Sequence, residues 1–507
     1  MTIDQILEET GQEIRTAATT MAVPELQLET RRPVALRPRR FALAVASAVF
    51  VFIAVGLVAM LVQLDSDGTG VAEQADGDSA QPPVVTSIDT PTPSTVTDAE
   101  AVDNVPAPTT TTEAAAPAVT MVWTRIESDV LGGSEWQWIE DIAVGGPGLV
   151  AVGADGSGGD DDAAVWYSTD GRTWSRVAHD EAVFGGSGDQ YMMAVTAGGP
   201  GFVAVGEDIA EDGTGISAVW VSEDGITWSR VSHDEASFGG QEQTNVFMKD
   251  VTAFGSGLVA VGMESTGSSI DAAAWISADG VTWERVPPDE AVFGGPQYQI
   301  MWAVVPAGPG LVAVGQGGDH FGERPGQPAA VWTSTDGRDW SRVPDQAALL
   351  SGYTSEGAHN GDWARIDDVI VGGPGLVAAG RVGRCQDFSC ADDSAVWTSA
   401  DGVTWERSTI EEAVGTSFDQ IFGVSTFGDR LVATGAGRAA DAQLGPAVVW
   451  TSTDGGQTWD RVHSIAAFGK LREGPNAMYA SVEFESRLIA VGSWGSDAAI
   501  WIATNEE

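Results

Sequence analysis

The chain has 507 residues, 63 of them glycine, and a formal net charge of −47 at pH 7, with Lys249 and Lys470 its only lysines. A surface this acidic repels phosphate backbones, which argues against nucleic acid as a partner, and it favours solubility and attracts cations. Residues 1–40 carry six acidic and six basic side chains, so the whole imbalance lies beyond them.

Taken in order, residues 1–40 read as a cytoplasmic tail. Ile3, Ile6, Leu7 and Ile14 fall near one helical face, which predicts a short amphipathic helix over 3–18, interrupted by Gly11. That helix either docks a cytoplasmic partner or stays a loosely ordered tail, since isolated helices this short are marginal. Arg31, Arg32, Arg37, Arg39 and Arg40 then precede an uncharged stretch from Phe41 to Val62. Such a stretch is long enough to cross a bilayer, and the arginines place the N-terminus in the cytoplasm. Residues 41–63 are therefore expected to be a single-pass anchor in the cell membrane. A cleaved signal peptide is the competing reading, but no small-x-small cleavage site comes directly after the stretch. Residues 64–120 are acidic and rich in Thr, Pro, Ala and Ser, the composition of a disordered stalk. As a flexible coil it would span roughly 40 Å and hold the remainder of the chain outside the membrane.

From residue 121 a phrase repeats: AAVWYSTDGRTWSRV at 163–177, then near-copies around Asp224, Asp279, Asp336, Asp401 and Asp454. Counted from Asp170, the steps are 54, 55, 57, 65 and 53 residues, the spacing of a propeller or solenoid. Ala-Val-Trp is a buried strand, Ser-x-Asp-Gly a turn, and Thr-Trp-x-Arg-Val the next strand. The pattern resembles the Asp box of sialidase-like (BNR-repeat) β-propellers. Ser452, Asp454, Gly456, Thr458 and Trp459 have its full spacing, the other five copies are one residue shorter, and Asp339 replaces Thr in the fourth. The resemblance implies an all-β fold in which the box is a structural turn found in enzymes and non-enzymes alike.

Each repeat holds four strand candidates, in the first copy WIEDIAV, LVAVG, AAVWYS and TWSRV. The second and third strands occur seven times, the box six. MVWTRI at 121–126 aligns with the box strand, so it is expected to complete the last blade, closing a seven-bladed ring over 121–507 and removing its unpaired edge. The propeller is expected to be monomeric. Cys385 and Cys390 fall in one second-to-third loop, and outside the membrane a local disulfide is the simplest reading.

The turns between first and second strands share a face with the boxes, whereas the long, variable loops share the other. Loops on a rigid scaffold are where binding residues sit, so a site is expected on the variable face near the channel. Fourteen of the 19 tryptophans belong to the repeat; Trp136, Trp138, Trp302, Trp363 and Trp494 do not. Exposed there, they would stack on a sugar or peptide; otherwise they pack between blades. Aligned first strands read Asp141, Ala194, Asp250, Ala303, Asp368, Gly423 and Ala480 at one position. These three aspartates are expected to face the channel, as solvated carboxylates or as ligands to a hard cation such as Ca²⁺. The phrase Asp-Glu-Ala-x-Phe-Gly-Gly recurs three times, and Phe184, Phe238 and Phe293 are expected to wedge between blades with the acids capping the loop.

The sialidase resemblance would imply an arginine cluster, a Tyr nucleophile with a Glu partner, and an acid Asp. No Phe/Tyr-Arg-Ile-Pro segment is present, first strands carry only Arg365, and Tyr479, Tyr191 and Tyr298 alone lie near the channel. No catalytic residue is therefore assigned. The expectation is a membrane-anchored binding module for a glycan or envelope protein. The alternatives are a sialidase-like glycoside hydrolase and a transmembrane sensor.

Overall fold

The computed structural model describes residues 121–239, 244–265, 269–295, 298–308, 310–317, 328–346, 362–386, 389–410, 419–438, 444–462, 466–469 and 476–505. The expected tail 1–40, span 41–63 and stalk 64–120 lie outside them. Among the described residues no helix is long and apolar enough to cross a membrane.

Seven antiparallel sheets form a seven-bladed β-propeller. Blade 1 runs Gln137–Gly145, Gly148–Asp155, Asp162–Ser168 and Ser175–Arg176, innermost to outermost. Blade 7 takes Asn476–Phe484, Arg487–Trp494 and Asp497–Asn505 from one part of the chain and Met121–Arg125 from another. Met121 pairs with Asn505 and Arg125 with Trp501, so the expected closing strand is in place. Blade 6 departs from the four-strand pattern. Thr409–Ile410, arriving from blade 5, adds a short parallel strand outside Thr458–Arg461.

The core arises from the alternation of small and branched residues in the second and third strands. Both faces of each sheet are apolar, so every blade packs against two neighbours. Seven buried clusters result, one at each blade boundary, and the one joining Ile489 and Ile500 of blade 7 to Leu149 and Trp166 of blade 1 closes the circle. The third-strand tryptophans are at most 1% exposed. Five of them donate an indole N–H to a carbonyl in the loop from the preceding blade, for example Trp220 to Val183 at 2.7 Å. The repeated Asp-Glu-Ala-x-Phe phrase builds that loop. Asp180 caps a single helical turn, Glu181–Phe184, and Phe184 is buried at the blade 1–2 boundary. Phe238 and Phe293 do the same at the next two boundaries.

The Asp boxes are turns held by their own side chains. Asp170 Oδ1 accepts the Arg172 and Thr173 N–H groups, both at 2.7 Å. Ser168 Oγ accepts from Gly171, whose φ is +66°, and the Trp174 indole donates back to the Gly171 carbonyl. These hydrogen bonds hold the Asp170 carboxyl down at about 2. Asp224, Asp279, Asp336, Asp401 and Asp454 repeat the arrangement. The first-to-second turn of a blade abuts the box of the next: Arg487 of blade 7 donates to the Asp170 carbonyl at 2.8 Å. Both turn sets thus share one face, which is also where Met121 lies, opposite Asn505 at the end of its strand. The backbones of Cys385 and Cys390 are directly opposed across a hairpin; their side chains lie outside the described residues.

Candidate functional site

The innermost strands do not alternate regularly. Each carries one β-bulge, at the same place in all seven blades. In blade 1 Ile139 faces Gly153 and Asp141 faces Val152, so Glu140 is the extra residue. The cause lies in the repeated Val-Ala-Val-Gly of the second strand. A Cβ on Gly153 would stand 2.1 Å from the Trp138 carbonyl oxygen, and the equivalent glycines, from Gly206 to Gly492, meet the equivalent carbonyls as closely. Only glycine admits that approach, and the bulge forms beside it.

A bulge re-aims a side chain, here seven times around one axis. The residue before each bulge, Ile139 or its equivalent, is at most 1% exposed. The bulged residues Glu140, Met193, Lys249, Trp302, Asp367, Phe422 and Tyr479 all keep partial exposure. They converge on the channel. Arg365 lays its guanidinium 3.7 Å from the Trp302 ring centroid, and Lys249 Nζ lies 5.2 Å from the same centroid. Phe422 and Tyr479 are 5.4 Å apart. One strand position towards the variable face, Trp138 and Tyr191 sit 5.8 Å apart.

The charges there are mostly paired. Lys249 bonds Glu207, and Asp367 receives Arg365 at 2.5 Å and Arg381 at 3.2 Å. Burial draws the Arg365 guanidinium down to about 10. Glu140 makes no ion pair among the described residues. Burial, with Asp141 adjoining, raises its carboxyl to about 7, against the pull of Lys249 and a hydrogen bond from Trp138. Burial raises the Tyr479 phenol to about 12.

Deeper along the innermost strands stand the three aligned aspartates, Asp141, Asp250 and Asp368, and the structure gives them an occupation. The innermost strand of a blade is an edge, and its channel-facing N–H groups need acceptors. Asp141 accepts from Ile142 of its own strand at 2.7 Å and from Val195 of blade 2 at 2.8 Å. Asp250 takes Val251 and Val304, and Asp368 takes Val369 and Val424. Three carboxylates thus cap six blades and staple them in pairs, which is why they alternate with Ala194, Ala303 and Gly423. Burial lifts Asp141 to about 7 and Asp368 to about 6, and Asp250 also rises well above its ordinary range. Their ligand atoms do not converge. Among the described residues, three ligand-type atoms come within 4.8 Å of one another only at Asp162, His179 and Glu181, on the outer rim.

The five surplus tryptophans separate. Trp138 and Trp302 face the channel. Trp363 is only 6% exposed, packed against Gly383 inside blade 5, and Trp494 lies beneath the Arg125 guanidinium at 4.2 Å. Trp136 stays at the loop edge, its carbonyl accepting the Gly156 N–H. Of the bulged residues, sequence reasoning reached Trp302 and Tyr479 and missed Glu140, Met193, Lys249, Asp367 and Phe422, because aligning strands on the turn after them picked out the position one residue later. The available signal was Ile139-x-x-Ile142 and its equivalents, core residues three apart where an unbroken strand would space them by two. A second concavity of about 460 Å³, lined by Gln299, Arg342 and Asp345 among others, holds none of the channel's charged groups.

Seven blades, six of them four-stranded and one with an added fifth strand, and six Asp-box turns make the described residues a seven-bladed β-propeller. No protein-family model matches the chain, and no curated protein does. Among solved structures it is similar to the polysaccharide lyase Uly1, at 11% identity over 74% of this chain and 91% of that one, TM-score 0.46. It is similar also to the α-L-arabinofuranosidase Arb93A of Fusarium graminearum, at 10% identity over 76% and 97%, TM-score 0.39. Trypanosoma rangeli sialidase is similar at 13% over 77% and 59%, TM-score 0.35.

Proposed function

We propose that the propeller is a binding module that takes a glycan at the variable-face mouth of its channel, without turning it over. The observation that supports this most is the ring of bulged residues. It sets Trp302, Phe422 and Tyr479, with Trp138 and Tyr191 above, among polar groups that are largely satisfied by one another. Aromatic faces beside fixed hydrogen-bonding groups suit a sugar, which has apolar C–H faces and polar edges. In this reading residues 41–63 anchor the chain in the cell membrane with 1–40 inside, and 64–120 carry the propeller outside. A glycan array probed with the full chain in detergent tests it. Retention of defined glycans, lost on Trp302→Ala, is the expected result; retention of none overturns it.

One observation favours a second reading, a glycoside hydrolase. The Glu140 carboxyl is neutral for part of the population at pH 7, as a general acid must be. Released sugar in the same assay, abolished by Glu140→Gln, would replace binding by hydrolysis.

A further inference from the structure

The loops leaving blades 1 and 2 share the phrase His-Asp-Glu-Ala-x-Phe-Gly-Gly, from His179 and from His233, and blade 3 has Pro288 where the histidine would be. Both imidazoles lean on the buried phenylalanine of the phrase, with ring centroids 6.5 Å and 6.3 Å apart. The blades differ at the residue four before the third-strand tryptophan, which is Asp162 in blade 1, Ile216 in blade 2 and Asp271 in blade 3. Of the blades that carry the phrase, blade 1 alone therefore has an aspartate, a histidine and a glutamate there. Glu181 also folds back over Gly185, where a Cβ would stand 2.7 Å from its carboxyl carbon, whereas Gly239 of the second copy faces Val246 instead. The three side chains converge. His179 Nε2 lies 3.3 Å from Glu181 Oε2 and 3.9 Å from Asp162 Oδ2, and one donor atom from each falls within 4.8 Å of the others. Among the described residues no lysine or arginine pairs with either carboxylate, and the Arg176 guanidinium of the same blade bonds Asp155 at 2.8 Å.

We propose that Asp162, His179 and Glu181 bind one divalent cation of the zinc class, with water completing the coordination. Zinc holds nitrogen and oxygen ligands at about 2.0–2.2 Å, which sets tetrahedral neighbours about 3.4 Å apart. The His179–Glu181 pair already has that spacing, and Asp162 closes on the ring by about 0.5 Å. The imidazole nitrogen favours a borderline transition metal over Ca²⁺ or Mg²⁺, which take oxygen. The His179 and Glu181 side chains are 43% and 72% exposed, so the ion enters from solvent and keeps a position open to it. The acidic chain raises its local concentration. Bound there, the ion fastens the start of the third strand of blade 1 to the loop that leads into blade 2. The site is independent of the carbohydrate reading.

The test is a zinc titration of the full chain in detergent, in competition with a chromophoric chelator and with Ca²⁺ and Mg²⁺ in excess. It compares the wild type with His179→Ala, Asp162→Asn and His233→Ala. A zinc equivalent is expected whose affinity falls at least about tenfold in His179→Ala and in Asp162→Asn, the scale that even outer-shell partners of a metal reach. His233→Ala removes an imidazole with the same phenylalanine contact, and it is expected to leave the affinity unchanged. Zinc binding that survives His179→Ala undiminished belongs to other groups and overturns the assignment. Displacement by the excess Ca²⁺ and Mg²⁺ is diffuse attraction to the acidic surface, and it overturns the proposal too, as does the binding of no zinc. Should His179→Ala not fold, the wild type still decides. Zinc must protect His179, and not His233, from acylation by diethyl pyrocarbonate, read by peptide mass spectrometry. Equal modification of the two rejects the site.

Discussion

The Trp138 carbonyl oxygen and the Gly153 α-carbon approach so closely that a β-carbon on Gly153 would lie 2.1 Å from the oxygen. That contact couples the most repetitive part of the sequence to its most variable part. The glycine is the same in every blade, and the side chain projected into the channel beside it is different in every blade. Gly315 makes the equivalent contact with the Ile300 carbonyl, beside Trp302. Gly315→Ala is expected to destabilise the fold by about 1–3 kcal/mol, as overpacking of a fixed backbone does. A denaturant midpoint matching the wild type would show that the bulge does not depend on the glycine.

Removing a staple leaves two backbone N–H groups without an acceptor. Asp250→Ala strands those of Val251 and Val304 and is expected to cost about 1–3 kcal/mol. Hydrogen exchange should quicken at both amides and not at Val195, which Asp141 serves. Unchanged protection at Val304 would rule out the blade 3–4 staple.

The channel carboxyls also predict how stability varies with pH. Glu140, Asp141 and Asp368 have folded pKa values near 6 to 7, above ordinary carboxylate values, so the folded chain binds more protons than the unfolded one in mild acid. Their contribution is complete below about pH 4 and is lost as pH rises through 6 to 7. The box carboxyls act oppositely. Asp170 and Asp454 sit at about 2, and their contribution is lost only as pH falls towards that value. Melting temperature is therefore expected to peak in mild acid, higher at about pH 5.5 than at about pH 8. A flat or rising profile between those two points would contradict the assignment.

Salt should act in the same direction as acid. With a net charge of −47, the folded chain repels itself, and counter-ions screen that repulsion. Melting temperature at about pH 8 is expected to rise with sodium chloride over the range in which the Debye length shrinks from about 10 Å to about 3 Å. No rise would mean that the acidic groups are already locally compensated.

Blade number, the closing strand and the face that carries the variable loops were legible in the sequence, because each comes from counting copies of a phrase such as Ser168 to Trp174. The identity of the wedges Phe184, Phe238 and Phe293 was legible for the same reason. The site was half legible. Trp138 and Trp302 stood out as tryptophans that the repeat does not require. Glu140, Lys249 and Asp367 did not, because a bulge shifts the register by one residue, and a strand read as unbroken turns them towards the wrong neighbour. Nor could the sequence distinguish channel aspartates that hold a cation from aspartates that hold N–H groups. That difference lies in where the backbone N–H groups of Val195, Val304 and Val424 point, which is set by the neighbouring blade.

Seven is odd, and the staples work in twos. Blades 1 and 2, 3 and 4, and 5 and 6 are each fastened by one carboxylate, which leaves blade 7 over. It has no box, and its sheet is assembled from two distant stretches of chain; its inner strand meets blade 6 through the Ser425–Ser481 hydroxyl pair and through Glu483, which accepts the Gly428 N–H. The circle is therefore three couples and a keystone. Blade 7 alone joins none of the three couples, and Tyr479 is the channel residue it carries.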